Sequence, residues 1–318
     1  MPDVSIIIPN YNGSSFLREA IESALAQKGV DHEVIVVDDG STDDSIDIIK
    51  SFDGEIRAYF HENRGAAAAR NVGWRHARSD WFKFLDSDDR LVPSALRRQM
   101  ERLADFKAED RYITFTNARF VDRAGLTTLE SYYPEITPDA CLSAAQLVRK
   151  APITTMPLFP RIAMEEVGGF NPDLRSADDH DLNVRLQFHG WDFVFLDFIG
   201  YEYRVYESHN RISQQRLSSI DLELRYASFL EHLELAKAEL SGPKGKALAQ
   251  AFADVFWSSG RLALRADKQD SATPYFRSAR QLSSEVPSGA PLYQGLCRIV
   301  GPRLAEKCAG LQQRLKSF

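Results

Sequence analysis

Nowhere in these 318 residues do about 18 apolar residues run together, so no membrane-spanning helix is expected. Cysteine is scarce. Cys141, Cys297 and Cys308 are too few and too scattered for a disulfide framework or a zinc site, and a reducing compartment is the expectation. The start, Met1-Pro2-Asp3-Val4, has no basic stretch ahead of an apolar core. No signal peptide is therefore expected, and a cytoplasmic location is. An excess of positive charge is also missing. The net charge of −6 excludes a chain built as a whole to neutralise nucleic-acid phosphates, so no nucleic-acid partner is expected. No Gly-x-Gly-x-x-Gly follows the first apolar run, which argues against a dinucleotide dehydrogenase.

What is present is an ordinary globular composition, 44% hydrophobic and 26% charged. The charge is uneven. Residues 214–318 carry 15 Lys and Arg against 10 Asp and Glu, whereas residues 1–213 carry 24 against 35. The pattern changes at the same place. Before it, apolar β-branched runs alternate with helical spacings: strands over Val4–Pro9, Glu33–Val37, Ile56–Phe60, Trp81–Leu85 and Tyr112–Phe115, and a late strand over Phe193–Leu196. Helices fall between them, one with apolar Phe16, Leu17, Ala20, Ile21, Ala24 and Leu25, and one around Asp43–Lys50 that Ser41 or Thr42 could cap. This implies an α/β fold with a mostly parallel sheet flanked by helices. Residues 122–160, with five prolines, read as an irregular connection over the sheet. After residue 213 only helices are expected, over Leu222–Leu240, Ala247–Leu264 and Ser271–Leu282. The expected domains are 1–213 and 214–318.

The chemistry concentrates where the apolar runs stop. Trp81-Phe82-Lys83-Phe84-Leu85 ends in Asp86-Ser87-Asp88-Asp89. Like charges this close are costly unless a cation sits among them, and a divalent ion with oxygen ligands is the economical choice. A polar turn is the alternative. Asp39 closes the second strand beside Gly40, where a carboxylate can accept a base N–H; an Asp-Gly turn would look the same. Arg64 and Arg70 lie near a helix start, which suits a diphosphate or simple pairing with surface acids. Asp178, Asp179 and Asp181 open another helix, either as dipole-favoured acids or with one of them serving as a general base.

In order and at typical spacing, the chain has Pro9-Asn10-Tyr11-Asn12, Val36-Val37-Asp38-Asp39-Gly40-Ser41-Thr42-Asp43, Asn63-Arg64-Gly65 with Arg70-Asn71-Val72-Gly73, Leu85-Asp86-Ser87-Asp88-Asp89, Gly168-Gly169-Phe170 and Asp178-Asp179-His180-Asp181-Leu182. Over about residues 3–213 this resembles a family 2 glycosyltransferase of the GT-A, Rossmann-like fold. The resemblance implies an inverting transfer from a nucleotide-diphosphate sugar, with UDP as the expected nucleotide, to a glycan or lipid-linked acceptor in surface polysaccharide synthesis. By the same resemblance Pro9 and Tyr11 would line the base and ribose pocket, and Asp39 would bind the base N–H. Asn63, Arg70 and Ser87 would border the nucleotide, and Asp86 the ribose or the metal shell. Asp88 would coordinate Mg²⁺ or Mn²⁺, Arg204 would contact the diphosphate, and Asp179 would be the base. Asp178 stands where the family usually has Glu. Tyr206 stands where it often has His, with His209 three residues later.

The last stretch, Leu292–Phe318, is apolar on one face and basic on the other. It suits peripheral contact with the inner face of an anionic membrane, ordinary packing, or a homodimer. Two other readings compete with sugar transfer. A GT-A-like nucleotidyltransferase usually carries a glycine-rich loop with a basic residue after the first strand, and Pro9–Gly13 offers neither. A non-catalytic nucleotide-binding module would not need the base.

Overall fold

A computed structural model of the protein describes residues 1–106, 110–133, 135–206, 217–284, 302, 305 and 306. The chain divides into two compact units, Met1–Leu142 with Pro152–Gln214, and Ser143–Ala151 with Gln215–Phe318.

The first unit is built on one sheet. Its strands are β1 (Val4–Asn10), β2 (His32–Asp38), β3 (Arg57–Phe60), β4 (Trp81–Phe84), β5 (Arg90–Leu91), β6 (Tyr112–Val121), β7 (Thr127–Leu129), β8 (Pro157–Pro160) and β9 (Asp192–Arg204). The spatial order is β3-β2-β1-β4-β8-β6-β9-β5, with β7 hairpinned onto β6. β3, β2, β1 and β4 are mutually parallel, as are β6 and β9. The helices are α1 (Leu17–Leu25), α2 (Ser45–Lys50), α3 (Ala66–His76), α4 (Ala95–Leu103), α6 (Arg161–Val167) and α7 (Asp178–Phe188), with α5 (Ala144–Arg149) in the second unit. All seven residues of β1 are buried, as a strand covered on both faces requires. α1 buries Leu17, Ala20, Ile21 and Ala24, the helical stripe its spacing dictates.

Three expectations need correction. The irregular connection contains a central strand: β8 lies antiparallel between β4 and β6, pairing Phe159 with Phe82 and Leu158 with Thr114. Its prolines occupy only the two end positions, where a missing N–H is tolerated. The fifth and last expected strands are far longer, ten residues in β6 and thirteen in β9. A register shift at Asn117 bends their pairing and interrupts the apolar pattern. Neither Ser41 nor Thr42 caps α2, which has no side-chain cap. Ser41 Oγ donates instead to Asp38 at 2.6 Å.

The second unit contains α5, α8 (Ser219–Leu235), α9 (Lys237–Leu240), α10 (Gly245–Arg265) and α11 (Gln269–Leu282). Ser143–Ala151, inside the first expected domain, groups here. Val148 and Leu147 of α5 are buried, and Arg149 donates to Asp254 of α10 at 2.8 Å. Ser218 and Asp221 form a reciprocal cap at the start of α8. Phe229 packs edge to face on Phe256 and Tyr275 in the core, and those two rings are tilted against each other. The basic stretch 292–318 lies outside the described residues apart from positions 302, 305 and 306. There, Glu306 accepts from Arg261 and Arg265. No helix among the described residues is long and apolar enough to cross a membrane.

Candidate active site

The sheet brings the carboxyl ends of β2, β1 and β4 side by side, pairing Asn10 with Asp38 and Ile7 with Phe84. This is where open α/β sheets place ligands. Cross-links between the loops fix these ends. Asn10 Nδ2 donates to Asp38 at 2.8 Å, Asn12 N–H to Ser41 Oγ at 2.9 Å, and Thr42 N–H to Asn12 Oδ1 at 2.7 Å. A Cβ on Gly13 would lie 2.3 Å from Asn10 Oδ1 and 2.8 Å from Ser87 Oγ, so a larger residue here would push aside the side chains that meet between the β1 and β4 loops. Pro9 is buried at the end of β1, and Tyr11 beside it is 47% exposed.

Asp39 is buried and holds the next loop. Its two oxygens accept the Arg64 and Gly65 N–H groups at 2.8 Å each, and His61 Nδ1 lies 3.2 Å away. Gly40, at φ +78°, lets that loop in: a Cβ there would sit 2.9 Å from Asn63 N. Asn63 itself is exposed.

The β4 end joins α7 through one guanidinium. Arg70, from α3, is buried over the Phe170 ring and donates to Asp86 at 2.7 Å and Asp178 at 2.5 Å. These two carboxylates raise its pKa further above the ordinary arginine range, despite burial. α7 begins directly at Asp178, after Ala177 in a left-handed conformation, φ 62°. Asp179 follows and makes no ion pair among the described residues; Oδ1 accepts only its neighbour's His180 N–H. Burial, reinforced by the Asp178 charge, pushes Asp179 up to about 6. Burial also raises Asp178, against the pull of Arg70. Asp181 turns away to pair with Arg185 at 2.7 Å.

Arg204 ends β9 with every guanidinium nitrogen occupied. Nε donates to the Asp88 carbonyl at 3.1 Å, Nη1 to the Arg123 carbonyl at 3.0 Å and Nη2 to Glu19 at 2.8 Å. Its backbone N–H donates to Asp89 at 2.8 Å. The structure thus uses Arg204 to brace the Asp86–Asp89 loop. Asp86, Ser87 and Asp88 are half-buried along that loop. Among the described residues, no three His, Cys, Asp or Glu side chains cluster closely enough to hold a metal ion unaided. Of the sequence-derived residues, Asp86, Arg70 and the Asp178–Asp179 pair are joined directly. Pro9, Tyr11, Asp39 and Ser87 share the adjoining strand ends. His209 lies outside the described residues.

Residues 5–124 match the family model described as Glycosyl transferase family 2. This stretch belongs to that family. The chain is 33% identical over 198 residues to an uncharacterized glycosyltransferase of Rickettsia felis, covering 58% of this chain and 31% of that one. It is 31% identical over 189 residues to chondroitin synthase of Escherichia coli, covering 58% and 26%. Against curated relatives of this kind it spans from about a quarter to just over half of their length. Among solved structures, S. aureus TarS residues 1–349 in complex with UDP-GlcNAc superposes with a TM-score of 0.60 at 18% identity, covering 88% of this chain and 92% of that one. At that identity the likeness is one of fold, and it places the family 2 stretch in a GT-A architecture.

Sequence reasoning missed several groups in the first unit. Asn10 and Asp38, which tie β1 to β2, looked like part of a strand and a turn. Tyr132 and Tyr133 feel the Asp179 charge, and burial with that charge moves Tyr132 up to about 12. Their signal was an aromatic pair inside the proline-rich stretch. Lys83 is wholly buried in β4, where burial lowers it to about 7; it donates to Gln99 Oε1 at 2.9 Å and the Met156 carbonyl at 3.0 Å. A cleft of about 440 Å³ walled by Trp81, Phe106, Tyr112 and Trp191 lies at the amino end of β4. The acids converge at the opposite end of that strand, and convergent polar groups decide where chemistry sits.

Proposed function

We propose that the protein is an inverting glycosyltransferase. It moves a sugar from a UDP-linked donor to a hydroxyl of a glycan or glycolipid acceptor in the making of a surface polysaccharide. The observation that carries this reading is Asp179. It is a carboxylate at the head of α7, poised near 6 and linked through Asp178, Arg70 and Asp86 to the end of β4. A base needs a pKa near working pH and reach to the proton it takes. The UDP-GlcNAc complex of TarS and the relatedness to chondroitin synthase support the donor class and the polymer context.

In this reading Tyr11 stacks on the base above Pro9. Asp39 shapes the base pocket by fixing the 61–65 loop beside Asn63, and keeps lone-pair capacity for a base N–H. Ser87 and Asp86 face the ribose and diphosphate. Asp86 and Asp88 are hard oxygen donors on one short loop, the kind that hold Mg²⁺ or Mn²⁺ one or two at a time while substrate phosphates complete the shell. The cation, when bound, offsets charge on the leaving diphosphate. Asp179 takes the proton of the acceptor hydroxyl. The acceptor oxygen bonds to the anomeric carbon as the bond to the β-phosphate oxygen breaks on the opposite face. UDP leaves and the configuration inverts. Arg70 keeps the base, Asp178 and Asp86 in one arrangement, and Arg204 fixes the loop bearing Asp88.

Thermal unfolding with a panel of nucleoside diphosphates, each with and without Mn²⁺, tests the donor side. Ligand at about 100 times its dissociation constant adds about 2.7 kcal/mol. The expected result is a metal-dependent shift with UDP that is lost in Asp88→Asn. A flat panel on folded protein sinks the assignment.

A further inference from the structure

The β6–β9 pair carries a feature that donor binding does not use. Its register sets Ala118 opposite Tyr201 and Phe120 opposite Tyr203, so by strand alternation these four side chains share one face. Tyr132, just beyond the β7 hairpin, folds back onto that face. Its backbone N–H donates to the Ala118 carbonyl and to Asn117 Oδ1. Its ring lies nearly parallel to Phe120, 15° apart with centroids at 5.8 Å. Tyr203 adjoins Phe120 at 5.0 Å. All three rings are half-buried, leaving part of each surface to solvent. Beneath them Tyr201 is sealed, and its hydroxyl has no hydrogen-bond partner among the described residues.

Position gives the rings a purpose. The Asp179 carboxylate is near enough to act on the Tyr132 and Tyr133 hydroxyls, and Asp86 and Asp89 act on Tyr201. Arg204, next to Tyr203 on β9, donates to the Asp88 carbonyl and to Asp89, so this end of the β6–β9 pair adjoins the Asp86–Asp89 loop, with Tyr132 within electrostatic reach of Asp179. Aromatic rings offer large contact area at little entropic cost because only two side-chain torsions must be fixed. A sugar ring in turn has an apolar C–H face and a rim of hydroxyls. A ring lying on this face would point a rim hydroxyl at Asp179.

We propose that Phe120, Tyr132 and Tyr203 form the shelf on which the acceptor sugar stacks, making the acceptor a cyclic saccharide rather than an acyclic polyol. The proposal rests on Asp179 being the base and deepens that reading.

The test is saturation-transfer NMR on the full chain. The probes are maltose, cellobiose, lactose and N,N′-diacetylchitobiose, with sorbitol as the acyclic control. Wild type, Tyr132→Phe, Tyr132→Ala and Phe120→Leu are compared after thermal unfolding has shown each to be folded. At least one disaccharide is expected to bind through its ring protons. Tyr132→Phe should keep that affinity, Tyr132→Ala should lower it at least fivefold, and sorbitol should stay silent. Wild-type affinity in both Tyr132→Ala and Phe120→Leu, equal response to sorbitol, or no disaccharide bound overturns the shelf. The UDP shift of the wild-type chain is read in parallel. If it is absent while disaccharides bind through Tyr132, the donor assignment fails and the shelf stands.

Discussion

Replacing Arg70 with methionine isolates the link between the β4 loop and the base. The side chain keeps its length and its contact with Phe170 but loses the fork that holds Asp86 at 2.7 Å and Asp178 at 2.5 Å. Arg70 is 6% exposed, so water does not take over its work. Removing one partner of a buried ion pair costs about 3–5 kcal/mol, because the remaining charge stays desolvated. Three carboxylates, Asp86, Asp178 and Asp179, then face one another without a cation. The folded-state pKa values of Asp178 and Asp179, already raised by burial, rise further above the unfolded value. A raised carboxyl favours the fold below its unfolded pKa, and that advantage is lost as pH climbs through the folded pKa. The deficit of Arg70→Met should therefore be about 3–5 kcal/mol at pH 7.5 and shrink by pH 4.5. Urea unfolding of wild type and variant at the two pH values measures it. Turnover should fall, and its acid limb should move to higher pH as Asp179 holds its proton longer. A deficit under about 1 kcal/mol at pH 7.5, or one independent of pH, would refute the reasoning. Arg70→Lys should land between, since an ammonium keeps the charge without the fork.

Asp179→Asn should lower transfer by about 10²–10⁴-fold in a UDP-release assay. For the wild type, activity should fall about tenfold per pH unit below pH about 6, the value to which burial lifts Asp179; a flat profile from pH 7 to 5 would remove it as the base. Lys83→Met should abolish a stability slope. The folded amine gives up its proton near 7 and the unfolded one near 10.5, so wild type should gain on the variant by up to about 1.4 kcal/mol per unit as pH rises from 7 towards 10, read from urea midpoints. Gly13→Ala should cost about 1–3 kcal/mol and weaken the UDP shift, because the added methyl would meet Asn10 Oδ1 at 2.3 Å.

The half of the sheet made of β1, β2 and β4 was legible because its physics is local. β1, β2 and β4 are largely buried on both faces, so each reads as a mainly apolar run, interrupted by Ser5 in β1 and Lys83 in β4, that stops where polar residues follow. The other half was not. β8 has prolines at both ends, which on their own speak against a strand, and only its neighbours β4 and β6 make Leu158 and Phe159 central. The length of β9 was hidden because half-buried Glu202 and Tyr203 lie together between buried Tyr201 and Arg204, which past the register shift makes neither an apolar run nor a strict alternation. Lys83 sat unnoticed in an apolar run, since a sequence cannot show that Gln99 and the Met156 carbonyl are waiting for its amine.

Adjacent residues show why a motif can be read while its roles cannot. Asp38 and Asp39 are the same residue type one position apart. The pleat turns Asp38 towards Asn10 and Ser41, and the strand end leaves Asp39 to catch the Arg64 and Gly65 amides. The same division separates Arg70 from Arg204. Both looked like diphosphate ligands, yet one sits between Asp86 and Asp178 and the other engages all three guanidinium nitrogens with two carbonyls and Glu19. The charged side chains of the site are thus largely engaged with one another before any ligand arrives. That suits a transferase, since groups already held in place need not be reorganised when charge develops on the departing diphosphate. Asp179 is the exception, a carboxylate at the head of a helix with no ion pair among the described residues. Arg70 is shared between Asp86 and Asp178, and on the function proposed above the third carboxylate is the one that exchanges a proton.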